Sequence, residues 1–204
     1  MAMVLLANSP QLVLSSLYFM YNSLYTCMLS ATEWSRSARH RKALRVTSPT
    51  HAQRSTYWLA LPWRYSLPLS MTSSLMHWLI SQSIFLARVG VYDPRNEPIQ
   101  TISTCGYSAY AIVIVIIVGS TMVLALLVNG FRKLDSGMPL VGSCSLAISA
   151  ACHRPLEDKD AALKPVQWGA VSHETIEGPG HCCFTSFDVE PPILGQRYAG
   201  LKED

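Results

Sequence analysis

Charge is distributed along this chain in a way that few soluble folds permit. Lys, Arg, Asp and Glu are absent from Met1 to Thr32, from Tyr65 to Ala87 and from Pro98 to Phe131. Each run can hold the ~20 apolar residues that a bilayer-spanning helix needs. Overall composition decides less, because half of the residues are apolar and soluble domains reach that fraction too. The third run is the most uniform: Ala111 to Val128 reads AIVIVIIVGSTMVLALLV, broken only by Gly119, Ser120 and Thr121. Its β-branched series from Ile112 to Val118 would suit a buried strand in water, but strands stop at ~4 to 8 residues. In lipid the backbone must satisfy itself internally, so a span of this length reads as helix.

The expected fold class is an all-α membrane protein with three transmembrane helices and a loop-rich cytosolic C-terminal tail. The helices are placed at about 8–31, 67–91 and 108–130, so that 1–133 forms the transmembrane region and 134–204 the tail. The first helix is given a capped start at Asn8-Ser9-Pro10, where proline in the first turn loses no hydrogen bond. The second is entered after Pro68 and ends near Val91, before Asp93-Pro94. The third ends at Asn129-Gly130, followed by Arg132 and Lys133. The first run is not a secretory signal, since no Lys or Arg precedes its apolar stretch.

Loop charge sets the expected orientation. Arg36, Arg39, Arg41, Lys42, Arg45, Arg54 and Arg64 face the single acid Glu33 in the first loop, whereas Tyr92 to Tyr107 carries one Arg and two acids. Lys- and Arg-rich short loops stay in the cytosol, which puts the first loop and the C-terminus there, in an integral membrane protein assigned to the plasma membrane. Trp34, Trp58, Trp63, Tyr65, Tyr92 and Tyr107 fall near the expected interfaces. In the tail, the charge-free stretch 136–153 is too rich in Gly, Pro and Ser for a span and is read as a short helix or re-entrant segment. Beyond Arg154 there are nine acidic against four basic residues, with short strands expected at Val166–Val171 and Cys182–Val189.

The candidate site residues form two groups. Asn8, Gln11, Ser15, Tyr18, Asn22 and Tyr25 recur at helical spacing along the first helix, and Ser70, Ser74, His77, Ser81 and Arg88 along the second. Polar groups in hydrocarbon turn toward partners or water, so these stripes are either interhelical hydrogen-bonding surfaces or the lining of a polar path, with His77 able to change charge near neutral pH. In the second group, Arg39, Arg41, Lys42 and Arg45 in RHRKALR are expected to contact anionic lipid headgroups rather than nucleic acid. Cys144, Cys152, His153, His173, His181, Cys182 and Cys183 lack the paired spacing of a zinc site. With G-x-S-x-G, H-E-x-x-H and a glycine-rich phosphate loop all absent, neither an enzyme activity, a cofactor nor a metal is expected.

Several phrases resemble the C-terminal portion of a fungal multi-pass membrane family carrying domain of unknown function 6536. They are ANSPQLVLSSLYFMYNSLYTCML (Ala7 to Leu29), Glu33-Trp34, LRVTSP (Leu44 to Pro49), QRSTYWLALPWRYSLPL (Gln53 to Leu69) and HWLISQSIFLARVGVYD (His77 to Asp93). VGSCSLAISAACH (Val141 to His153), VQWG (Val166 to Gly169), GHCCFTS (Gly180 to Ser186) and Tyr198-Ala199-Gly200 continue the series. The resemblance implies no activity, but it implies further helices upstream and hence a chain that is a fragment, an internal start or a short paralogue. The expected function is a non-enzymatic structural, sensing or partner-binding membrane component, needing the bilayer and further transmembrane helices as partners. The alternative is part of a transporter or channel with its path along the first two helices.

Overall fold

The computed structural model describes residues 2–57, 59–94, 98–134, 137–176 and 178–198; Trp58, Ser136, Ala199 and Gly200 of the readings above lie outside them. The fold is mixed α/β and not all-α. Helix α1 (Ala2–Arg36) is followed by the two-residue strands β1 (Arg45–Val46) and β2 (Arg54–Ser55), helix α2 (Trp63–Ser83), strands β3 (Ile84–Tyr92) and β4 (Pro98–Tyr107), and helix α3 (Ala109–Gly130). Helix α4 (Ser145–Ala151), a 3-10 turn (Ala161–Leu163) and strands β5 (Gln167–Ser172) and β6 (His181–Thr185) complete it. Three separate two-stranded sheets result: β1 with β2 parallel, β3 with β4 and β5 with β6 antiparallel. The chain divides into two compact units, one of Met1–Thr26 with Leu59–Arg132, the other of Cys27–Trp58 with Lys133–Asp204.

In the first unit, α1 begins at Ala2, well before the expected cap, and Pro10 lies inside it. An internal proline leaves the carbonyl four residues earlier without its backbone donor. Here that carbonyl, Leu6 O, accepts from the Ser9 hydroxyl at 3.0 Å, so the residue read as a cap repairs the helix instead. The second expected helix is cut short. α2 ends at Ser83, and Ile84 is already extended; the remainder, with Phe85, Val89, Val91 and Tyr92, forms β3. Its partner β4 carries Thr101, Ile102 and Thr104, and the two strands pair from Ile84–Tyr107 to Tyr92–Pro98. β-branched and aromatic side chains suit such a pleated ribbon, and the Phe85 ring lies over Gly106, its cross-strand partner.

Side-chain contacts set the directions of the three long helices. Gln11 meets His77, and the rings of Tyr25 and Tyr65 lie 6.3 Å apart, so α1 and α2 run antiparallel. Tyr21 donates to Met122 O at 3.1 Å, while the Cys105 thiol reaches Met3 O at 3.5 Å, so α1 runs parallel to α3. Ser108 N donates to Ser83 O at 2.9 Å and brings the two ends of the β3–β4 ribbon together. α2 buries Leu69, Met76 and Leu79, with Met76 opposite Gly119 of α3. α3 itself buries none of its 22 residues.

The second unit gathers Met138, Ala151 and Trp168 into a core, packed by Trp34, Ala38, Cys182 and Phe184. The strands expected in the tail are present as β5 and β6, the second ending at Thr185 and not Val189. The stretch before them, expected as a short helix or re-entrant segment packed against the transmembrane bundle, holds α4, whose Ala151 enters this core instead. Backbone pairs extend the ribbon: Lys42 with Val166, Ala170 with Glu190, and Gly180 with Tyr198. Two glycines make these approaches possible. A Cβ on Gly169 would lie 2.8 Å from Glu190 O, and one on Gly180 would lie 2.5 Å from Ser172 O. Gly180→Ala is therefore expected to destabilise the second unit by about 1 to 3 kcal/mol, read as faster limited proteolysis within residues 133–198 of the full chain.

Candidate functional site

The second unit holds an open pocket of about 480 Å³. The last turns of α1 supply one wall, because Ser30, Glu33, Trp34 and Ser37 recur at the spacing of a single helix face. Phe184 of β6 and Val166, ahead of β5, stand across from it, and Ala161 with Ala162 close the apolar surface. Trp34 is fixed at both ends: its indole N–H donates to Pro139 O at 3.2 Å, and its ring meets Phe184 edge-on at 5.2 Å. Lys42, Arg45, Arg154 and Cys152 complete the lining. Pockets of this size, mainly apolar with a few polar groups, suit small ligands.

The charges at this pocket are not equivalent. Arg45 Nε lies 3.6 Å from Glu33 Oε1, its Nη1 donates to Ser55 O at 3.2 Å and its Nη2 to the Tyr57 hydroxyl at 2.7 Å. Its guanidinium also stacks 4.0 Å above the Tyr57 ring. Arg45 is thereby committed to the protein, and it offsets Glu33. Among the described residues Lys42 Nζ donates to the Glu33 backbone oxygen alone, at 3.3 Å. Burial lowers the pKa of this ammonium, Glu33 opposes that, and Arg36, Arg45 and Arg54 lower it further. Lys42 with Arg154 leaves the pocket a positive excess.

Beside the pocket, Asp158 is a carboxylate only 2% exposed. Thr185 Oγ1 and Ser186 N donate to its Oδ2 at 2.6 and 2.7 Å, and Ser186 Oγ to its Oδ1 at 2.7 Å. Burial alone would raise its pKa. The hydrogen bonds from Thr185 and Ser186, aided by Lys164, outweigh burial and hold the carboxyl below its ordinary value. Arg41 grips the same turn, donating to Ser186 O, to Phe187 O at 2.9 Å and to Asp188 Oδ1 at 2.6 Å.

The residues singled out by sequence separate accordingly. Among the stripe residues, Gln11 and His77 meet across helices: Gln11 Nε2 donates to His77 O at 3.0 Å and Gln11 Oε1 lies 2.5 Å from His77 Nδ1. An amide oxygen only accepts, so this geometry puts the imidazole proton on Nδ1. Tyr25 meets Tyr65 of α2, and four others turn to their own helices. Asn8 donates to Val4 O, Ser15 to Gln11 O, Ser74 to Ser70 O and Ser81 to Trp78 O. Asn22 O accepts from Thr26, and Tyr18 packs edge-on to Phe19. Arg88 lies in β3, opposite Ser103. Of the four basic residues, Arg41 and Arg45 hold protein groups, Arg39 lies in the turn that follows α1, and Lys42 faces the pocket.

Among the described residues no group of three or more His, Cys, Asp or Glu is gathered to hold a metal ion. His181 Nε2 pairs with His153 O at 2.7 Å. Burial pushes the thiols of Cys182 and Cys183 up to about 11 and about 12, far from the thiolate form that binds metal. Asp158 and Arg154 went unnoticed in the sequence, since neither belongs to a motif and Asp158 finds its partners 27 and 28 residues away.

A family model described as Domain of unknown function (DUF8419) matches residues 1–179. The chain belongs to this family. The match replaces the resemblance to the fungal family of domain of unknown function 6536, which nothing else supports. DUF8419 as matched takes in α1 to β5 and residues of both units. No curated protein and no solved structure matches the chain.

Two outcomes follow for the site. Asp158→Asn places an amide where Thr185 and Ser186 both donate, and it is expected to cost about 1 to 3 kcal/mol at pH 7. A carboxylate with a depressed folded-state pKa gives stability that is complete above the unfolded value, about 3.9, and lost as pH falls through the folded value. The gap between wild type and Asp158→Asn should therefore narrow on acidification, in thermal unfolding of the full chain. His77→Ala, read in the same way, should cost no less than Gln11→Ala, and the double variant should cost less than the sum.

Proposed function

We propose that this chain is a non-enzymatic membrane component: its first unit is embedded in lipid with α1 and α3 as the lipid-facing helices, and its second unit is a cytosolic module for binding. The observation that carries the reading is α3, a helix long and apolar enough to cross a membrane that stays almost wholly unburied by protein. α3 is ~33 Å long at 1.5 Å per residue, which matches a hydrocarbon core of ~30 Å. α1 passes the same test of length and composition. Both expose large apolar side chains, among them Leu12, Leu17 and Phe19 on α1 and Ile116, Leu124 and Val128 on α3. Soluble monomers rarely carry apolar surface of this extent.

Hydrogen bonding supports the same environment. Polar groups in hydrocarbon need partners, and Asn8, Ser9, Gln11 and Ser15 of α1 have them within the helix or on His77. The orientation follows from charge: Arg64, Arg132 and Lys133 adjoin one end of the parallel pair α1 and α3, and the basic residues from Arg36 to Arg54 follow α1 at that end. That end is cytosolic. The hydroxyl stripes, closed on their own backbones, offer little support to a transport path.

Ile116→Lys tests the reading, because position 116 is exposed on the protein. In water such a surface change stays within about 0.5 kcal/mol. At the centre of a spanning helix a lysine costs about 2.5 to 3.5 kcal/mol. The expected outcome is a wild-type chain that resists alkaline carbonate extraction and yields to non-ionic detergent, with Ile116→Lys depleted from the membrane fraction. Release of the wild-type chain by carbonate would overturn the proposal.

A further inference from the structure

The pocket on the last turns of α1 pairs an apolar wall with two cations, Lys42 and Arg154, that among the described residues have no carboxylate within ion-pair distance. Arg45 and Glu33 answer each other, and Arg41 is spent on the turn after β6. Lys42 keeps one bond, to a backbone oxygen that carries no formal charge, and Arg154 stands exposed at the lining. Trp34, Phe184 and Val166, the last paired with Lys42 through the backbone, give the pocket its apolar surface. A ligand that satisfies both surfaces carries an anionic group and a hydrocarbon part. The lining residues Ser30 and Glu33 stand on either side of Thr32, where the charge-free run of the sequence ends.

We infer that this pocket binds an anionic phospholipid, its phosphate held by Lys42 and Arg154 and the start of its acyl chains lying against Trp34 and Phe184. This deepens the membrane reading, on which it rests for the source of the ligand. It differs from a general attraction of basic loops to headgroups in naming a cavity, two cations and an apolar wall. Arg41 and Arg45, the other basic residues near it, serve to shape the site and not to touch the phosphate.

Cys152 lines the pocket and is a free thiol, so its alkylation reports occupancy. The full chain in dodecyl maltoside micelles is treated with N-ethylmaleimide while dioctanoyl phosphatidic acid, dioctanoyl phosphatidylcholine or inorganic phosphate is titrated, and each cysteine is read by peptide mass spectrometry. Phosphatidic acid is expected to protect Cys152, while the other two do not. Lys42→Gln with Arg154→Gln should raise the half-protecting concentration by about tenfold or more, the loss of charge-assisted bonds. Buried Cys183 is the folding control. Should it become reactive in the double variant, Arg154→Gln alone, an exposed substitution, is expected to shift protection in the same direction. Equal protection by phosphatidylcholine, protection by inorganic phosphate, no protection by phosphatidic acid, or protection unchanged in the variants would each overturn the inference. A chain that carbonate releases from membranes, yet whose Cys152 is protected as described, fails the membrane reading and not the pocket.

Discussion

The apolar surface of α3 has to be kept from water, and no protein core in its unit does so. α2 covers part of it, through Met76 facing Gly119, but the large aliphatic side chains on the rest of α3 remain outside. Much of the polar chemistry of that unit is closed on itself, which is what the proposed lipid surround would require. Hydroxyls close onto carbonyls of the preceding turn, Ser9 completes the bonding that Pro10 cannot, and Gln11 and His77 satisfy one another through two contacts. Each device removes an exposed donor or acceptor, whose cost in hydrocarbon is several kcal/mol.

Different physics governs the second unit. Its core is small, and the elements around it are short, so a large share of its definition falls to close backbone pairing and to charge. Gly169 and Gly180 admit neighbouring strands to within distances that a side chain would forbid. Asp158 and Arg41, of opposite sign, hold the segment after β6 from its amide and its carbonyl sides. The pocket inherits its shape from this frame, and its electrostatics from which cations the frame consumes.

How much of this was legible in the sequence varied with the range of the interaction. α3 was legible because AIVIVIIVGSTMVLALLV is too long for a strand, which leaves a helix. Strands β5 and β6 were legible for the opposite reason, being short and bounded by glycine and loop residues. The second charge-free run misled, since absence of charge does not distinguish helix from strand, and Ile84–Tyr92 is apolar in both. Its β-branched and aromatic content, repeated in QTIST after Asp93-Pro94, carried the hairpin signal that the window of hydropathy hid. Helical spacing grouped the stripe residues but also counted Arg88, which lies in β3, and spacing does not reveal that a serine bonds its own i−4 carbonyl. Asp158 depends wholly on partners that the tertiary fold brings to it, and nothing local announces it.

The turn after β6 has a consequence for motion. The amide of Ser186 is donated to a buried carboxylate and its carbonyl is held by Arg41, while its side chain meets the other oxygen of that carboxylate. Solvent can reach that amide only when Asp158 and Thr185 part as well. Fluctuations that would fray an ordinary surface turn one bond at a time are thereby coupled, and the segment opens as one cooperative event or stays closed.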